Sequence, residues 1–176
     1  PEKALGAASA AIPGYNSVRS RLKALLTAAL AVSLHGRMKM SGPLTGVRIL
    51  EITAVVLGPW ACQMLADMGA EVIKIEPPYG DSNRSLGAYR NKGMAALYLT
   101  CNRNKRSVVL DLKQPAARAA VMELAKNVDV VIHNNRPQVM TKLGLDYAAF
   151  KTVNPKIIYC GTYGYGAAGP YGSRGA

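Results

Sequence analysis

Three short stretches bring together residue types that bind anions. Thr53-Ala54-Val55-Val56-Leu57-Gly58-Pro59 follows an apolar run and leads into a helical pattern, so its backbone amides open a helix N-terminus that can face negative charge. Asp111-Leu112-Lys113 ends a second apolar run and places a cation there. His133-Asn134-Asn135-Arg136 ends a third with two amide side chains and a guanidinium, groups that hydrogen-bond a phosphate or an adenine edge. Each has a plainer reading: Lys113 as a solvated surface charge, Asn134-Asn135 as a turn. A fourth stretch, Gly161-Thr162-Tyr163-Gly164-Tyr165-Gly166-Ala167-Ala168-Gly169-Pro170-Tyr171-Gly172-Ser173-Arg174, contains G-x-G-x-x-G. That dinucleotide fingerprint needs a helix start behind the glycines and an acidic residue about 20 positions later. Pro170 and Gly172 follow instead, so the stretch reads as a glycine-rich connection leaving a strand.

The elements that must position these loops follow from apolar periodicity. Val47-Arg48-Ile49-Leu50-Glu51-Ile52 reads as a strand, and residues 59–68 as a helix closed by Gly69 in a left-handed cap. Residues 71–75, 107–111, 128–132 and 157–161 read as further strands. Residues 115–127 read as a helix with Pro115 at its first position, where a proline costs no hydrogen bond. Short apolar strands alternating with helices imply right-handed crossovers and an α/β, Rossmann-like, mostly parallel sheet with flanking helices. Ligands of such open sheets sit outside the carboxyl ends of the strands, where all three candidate loops fall.

Composition narrows the classes. With 176 residues, 49% of them hydrophobic, the chain can bury a core of one domain, and disorder is not expected. Cys62, Cys101 and Cys160 are odd in number, with no C-x-x-C pair and no histidine-rich company, which argues against a disulfide framework and a zinc site. They read as small buried apolar residues in a reduced, cytoplasmic setting. His35 and His133 are too isolated to form a metal pair. The net charge of +12 favours an anionic partner such as nucleic acid, a membrane or a phosphorylated small molecule. Nucleic acid is disfavoured, because the basic residues are scattered and no aromatic-interleaved stripe accompanies them.

Residues 1–40 carry six Lys/Arg and one acid, against sixteen and nine in residues 41–176. Ala/Gly-rich at first and then basic and Ala/Leu-rich over residues 19–34, they read in three ways: a transit peptide, a membrane-surface helix, or translated sequence ahead of a start at Met38 or Met40. The third is preferred, because the chain begins with Pro and has no Met before position 38. The apolar run over residues 24–34 is too short to span a bilayer. The organisation is thus an extension over 1–40, non-native or else disordered or helical, and the first part of a Rossmann-like sheet domain over 41–176.

Several motifs occur in a characteristic order: Val47-Arg48-Ile49-Leu50-Glu51-Ile52, Gly58-Pro59, Gly69-Ala70-Glu71-Val72-Ile73-Lys74-Ile75-Glu76-Pro77-Pro78 with Gly80-Asp81, and Asn102-Arg103-Asn104-Lys105-Arg106-Ser107. Asn154-Pro155-Lys156-Ile157-Ile158-Tyr159 and Gly164-Tyr165-Gly166-Ala167-Ala168-Gly169-Pro170-Tyr171 continue the series. From Pro43 onward the chain resembles the family III CoA-transferases, the group that includes formyl-CoA transferase, carnitine CoA-transferase and the α-methylacyl-CoA racemases. The resemblance implies an enzyme acting on acyl-CoA and a carboxylic acid, without metal, as a homodimer whose subunits thread through each other as interlocked rings. It implies an aspartate nucleophile that forms a mixed anhydride and then an enzyme-CoA thioester. That aspartate is expected beyond Ala176, as is the histidine of the racemase relatives, so the chain is expected to be a truncated, catalytically silent part. By resemblance to formyl-CoA transferase, CoA contacts fall on Val55, Val56, Leu57, Leu110, Asp111, Leu112, Lys113, Asn134, Asn135, Arg136 and Lys142. Asn135 stands where the family often has an aromatic, Val56 and Pro77 where formyl-CoA transferase has Gln and Arg, and Lys142 where it has an Arg. The second pair argues against formyl-CoA and oxalate as substrates. Asn104-Lys105-Arg106-Ser107 reads mainly as a polar lead-in to the following strand, with phosphate contact as the lesser alternative. An acyl-CoA racemase and a non-catalytic CoA- or nucleotide-binding module are the alternatives.

Overall fold

The computed structural model describes residues 41–166 and 169–172. The 1–40 extension, Ala167-Ala168 and the last four residues lie outside the described residues. Five strands form one sheet: β1 (Arg48–Ile52), β2 (Glu71–Glu76), β3 (Lys105–Val109), β4 (Val130–His133) and β5 (Ile158–Gly161). Their order is β3-β2-β1-β4-β5 and every pairing is parallel. The chain therefore winds outward from β1 through β2 to β3, then returns to the other side of β1 for β4 and β5. The reversal lies between β1 and β4, the switch point at which open α/β sheets bind ligands.

The helices are α1 (Leu57–Asp67), α2 (Ala96–Asn102), α3 (Pro115–Ala125), α4 (Pro137–Leu143) and α5 (Tyr147–Val153), with a 3-10 turn at Ser82–Ser85. Ile49, Val72 and Ile132 pack with Cys62 and Ala66 of α1 on one face of the sheet. Alternation sends Leu50, Ile73 and Val131 to the opposite face, where they too are buried. Strands buried on both faces carry near-continuous apolar runs, which is why they were legible. Gly69, at φ +103°, turns the chain after α1 as expected of a left-handed cap.

Four expectations need correction. α1 starts at Leu57 rather than at residue 59, so Leu57 belongs to the helix and not to the loop before it. β3 spans Lys105–Val109 rather than residues 107–111. Lys105 is therefore a strand residue, not a lead-in, and it can be one because its ammonium has a buried partner. β4 spans Val130–His133 rather than residues 128–132, which puts His133 inside the sheet. Cys62 and Cys101 are buried as expected, but Cys160 is exposed, because β5 is an outer strand.

Candidate functional site

The switch point rests on a cluster of buried charges. Glu51 of β1 is paired in register with Lys74 of β2, and both side chains point to the α1 face. Lys74 Nζ donates to Glu51 Oε1 at 3.0 Å and to the Thr53 carbonyl at 2.9 Å, and lies 3.1 Å from Asp81 Oδ2. Lys105 Nζ lies 2.8 Å from Glu51 Oε2 and donates to the carbonyl of Pro59 and to Asn102 Oδ1. Glu51 Oε2 and Asp81 Oδ2 thus meet their lysines at ion-pair distance, outside hydrogen-bond geometry. Charges taken this far from water persist only when paired. Burial pulls the Lys105 ammonium below its ordinary value, with Glu51 opposing it. Burial, then Glu51, pushes the Cys62 thiol far up, so it stays protonated and is no nucleophile at neutral pH.

Above this cluster the turn from β1 into α1 is held on both sides. Asn134 of the turn after β4 accepts from the Ala54 amide at 3.1 Å and donates to the Ala54 carbonyl at 2.8 Å. From the other side Asp81 Oδ1 accepts from the Val55 amide at 3.3 Å, and Asn83 Nδ2 donates to the Val55 carbonyl. Between these clamps Val55 stands at φ +72°, a left-handed conformation that costs a β-branched residue roughly 1–2 kcal/mol. Gly58 lets the first turn of α1 close onto β1, since a Cβ there would lie 2.6 Å from Thr53 Cβ and Cγ2. Val55→Gly is expected to raise unfolding stability by about 1 kcal/mol by removing this strain. An unchanged or lower urea midpoint would mean that the turn is not strained.

Beside the clamp, Arg84 makes a two-pronged pair with Glu76, 2.7 Å on each oxygen, and Tyr98 and Ser107 donate to the same carboxylate. Burial alone would raise the Glu76 carboxyl, but the bonds from Arg84, Ser107, the Asp81 amide and Tyr98 outweigh it and hold it down to about 2. Since the folded value lies below the unfolded one, this stabilisation is complete above about pH 4.5 and fades as pH falls toward 2. Its size is on the order of 3 kcal/mol, and Glu76→Gln is expected to flatten the loss of stability across that window in acid-series urea titrations.

The expected site residues divide by position. The residues from Val55 to Leu57, from Leu110 to Lys113 and from Asn134 to Arg136 all follow carboxyl ends of parallel strands, and so share one edge of the sheet. At β1 and β4 the hydrogen bonds of Asn134 join the two turns directly. Arg136 is exposed at the start of α4, and Lys113 is exposed ahead of α3. Leu57 and Val55 are also exposed. Other positions are occupied by backbone work. The Ala54 and Val55 amides, expected to face an anion, are taken by Asn134 and Asp81, leaving Val56, Leu57 and Gly58 to open the helix. Asn135 Nδ2 reaches the Ile52 carbonyl at 3.4 Å. Asp111 Oδ1 accepts from the Lys113 amide, and Arg118 holds the carbonyls of Leu112 and Lys113. Lys142 is exposed in the last turn of α4, at the far end of that helix from Arg136. His133 is buried against Tyr159, with ring centres 4.8 Å apart, and the Tyr163 hydroxyl lies 3.4 Å from its Nε2. Burial lowers its pKa, so the ring is a neutral packing element at physiological pH.

Sequence reasoning missed Glu51, Lys74, Asp81, Asn83 and Arg118. A signal existed for the first two: each is a charge inside a strand whose neighbours on both sides are apolar. What Asp81 and Asn83 do for Val55 was not legible, because Val55 lies 26 and 28 positions from them.

Known proteins share the sheet arrangement of this chain. The succinate–glutarate CoA-transferase of Agrobacterium fabrum is 48% identical over 136 residues, covering 73% of this chain and 34% of that protein. The mouse succinyl-CoA:glutarate CoA-transferase is 43% identical over 133 residues, 75% of this chain and 30% of that protein. The crystal structure of a CaiB/BaiF family protein from Brucella suis superimposes with a TM-score of 0.74 at 40% identity, covering 77% of this chain and 37% of the other. The chain thus spans about a third of the length of the curated relatives it matches. With the family model of the family III CoA-transferases matching residues 44–176, the chain belongs to that family.

Proposed function

We propose that this chain is the CoA-binding part of a transferase that moves CoA from an acyl-CoA thioester to a carboxylic acid. The observation that carries this reading is the joined pair of turns at the β1/β4 switch point, beside exposed Arg136 and with exposed Lys113 on the same edge of the sheet. Helix-opening amides and two cations suit the phosphates of CoA. Exposed Val55 and Leu57 offer apolar surface beside them. The names of the compared relatives support transfer rather than racemisation.

In the proposed reaction an aspartate, supplied by the part of the relatives' length that this chain does not span, attacks the thioester carbonyl and expels CoA thiolate, leaving a mixed anhydride. The thiolate attacks the aspartyl carbonyl and releases the first acid, giving an enzyme-CoA thioester. The acceptor carboxylate then displaces the thiolate to form a second anhydride, and the thiolate returns to its acyl carbon, freeing the aspartate. The residues described here would keep CoA bound while its sulfur leaves and returns, so that the thiolate is not lost between steps. The enzyme works as an interlocked homodimer in the cytoplasm, on acyl-CoA and carboxylic acids, with neither nucleic acid nor membrane as partner and no metal. No helix among the described residues is long and apolar enough to cross a membrane.

Calorimetric titration of the full chain with CoA tests the binding half of this reading. Lys113→Ala and Arg136→Ala are each expected to weaken binding about tenfold, the lower end for a charge-assisted hydrogen bond. No binding by a folded chain, or binding indifferent to both substitutions, would overturn the placement.

A further inference from the structure

Val55 is an exposed, β-branched residue held at φ +72° at the switch point, a conformation glycine adopts freely and valine does not. Both of its backbone groups are engaged by one neighbouring segment: its amide by Asp81 Oδ1, its carbonyl by Asn83 Nδ2. That segment is itself tied down. The Asp81 amide donates to Glu76 Oε2 at 3.0 Å, the Asn83 amide donates to Asp81 Oδ1 at 3.0 Å, and Asp81 Oδ2 faces Lys74 at 3.1 Å. Asp81 is 3% exposed and Asn83 1%, so neither is a candidate for touching the ligand. A strained residue over-determined by buried partners is a common mark of a preorganised site.

We infer that Asp81 and Asn83 are positioning residues: they hold Val55 in its left-handed conformation, and thereby hold the Val55-Val56-Leu57 turn in the shape that receives CoA. The inference rests on the CoA reading above and adds residues that the ligand never meets. Without the clamp Val55 relaxes toward negative φ, the receptive turn becomes a minor population, and apparent affinity falls by that fraction. The relaxation is specific to a residue that dislikes positive φ. With glycine at position 55 both conformations are accessible at similar cost, so the clamp matters less.

A double-substitution cycle on CoA affinity, with urea unfolding of every variant measured alongside, separates this from a merely structural role. In the native background Asn83→Ala is expected to weaken CoA binding about tenfold, about 1.4 kcal/mol. In the Val55→Gly background the same substitution is expected to weaken it less than about threefold. Should Asn83→Ala not fold, Asn83→Ser, which removes the amide donor with a smaller loss of packing, is read in the same cycle. Equal losses of affinity in both backgrounds, or an unchanged affinity with lowered stability, would overturn the inference and leave the CoA reading intact. No CoA binding by the folded native chain would remove the CoA reading and this inference with it.

Discussion

Lys74→Met is expected to cost roughly 3–5 kcal/mol of unfolding free energy, the range for breaking a buried ion pair by removing one partner. The Lys74 side chain is 1% exposed and is the cation within reach of Asp81 Oδ2, whose carboxylate is equally buried. Methionine fills much the same volume but leaves Asp81 Oδ2 facing an apolar side chain, and the Thr53 carbonyl loses its donor. Glu51 keeps Lys105 at 2.8 Å, so the damage concentrates on the Asp81 side, under the clamped turn. Small domains are stable by only about 5–15 kcal/mol, so a large share of the folded state's margin is at stake. Urea unfolding at neutral pH, followed by circular dichroism, reads the change. A loss under about 1 kcal/mol would mean that the cluster is hydrated rather than sealed.

Phe150→Ala is expected to cost about 3–5 kcal/mol, the usual range for emptying a buried aromatic site. Phe150 has no exposed surface and is the buried anchor of α5, its ring centre 5.7 Å from that of Tyr159 on β5. Tyr159 in turn packs on His133, and its hydroxyl donates to the Leu145 carbonyl at 3.0 Å. The cavity would therefore loosen the support of the carboxyl end of β4, from which Asn134 reaches the Ala54 turn. Thermal unfolding measures the cost. Phe150→Leu, which refills part of the volume, is expected to recover more than half of it, and a similar loss for both would point to a requirement for the ring itself.

The two substitutions act on the two groups of residues that shape the switch point. Lys74 supports the β1 turn from the β2 side through Asp81, and Phe150 supports the β4 turn from the β5 side through Tyr159 and His133. The turns meet through Asn134, so damage to either side reaches the other through two hydrogen bonds. Neither side includes the exposed cations Lys113 and Arg136, whose loss is expected to change CoA affinity with little effect on stability.

The inner strands β1, β2 and β4 were legible because they bury both faces, so apolar runs such as Ile49-Leu50 and Val72-Ile73 announce them without any knowledge of their neighbours. That the three candidate loops share one sheet edge followed from the same alternation, since parallel strands joined by crossovers release their carboxyl ends on one side. Family membership was also legible, through the order of several short motifs. The bounds of β3 and β4 were less so. Lys105 and His133 look like loop residues until Glu51 and the ring of Tyr159 are brought beside them. The short helices α2, α4 and α5, seven residues each, carry too little periodicity to stand out and are held by tertiary packing. Only the tertiary structure decided what the β1 and β4 loops do: that Asn134 is a strut between turns, and that Val55 is held against its preference by Asp81 and Asn83. The physical reason is range. Burial and periodicity are written into neighbouring residues, whereas a hydrogen bond between Asn134 and Ala54 spans 80 positions and exists only once the sheet has placed β4 against β1.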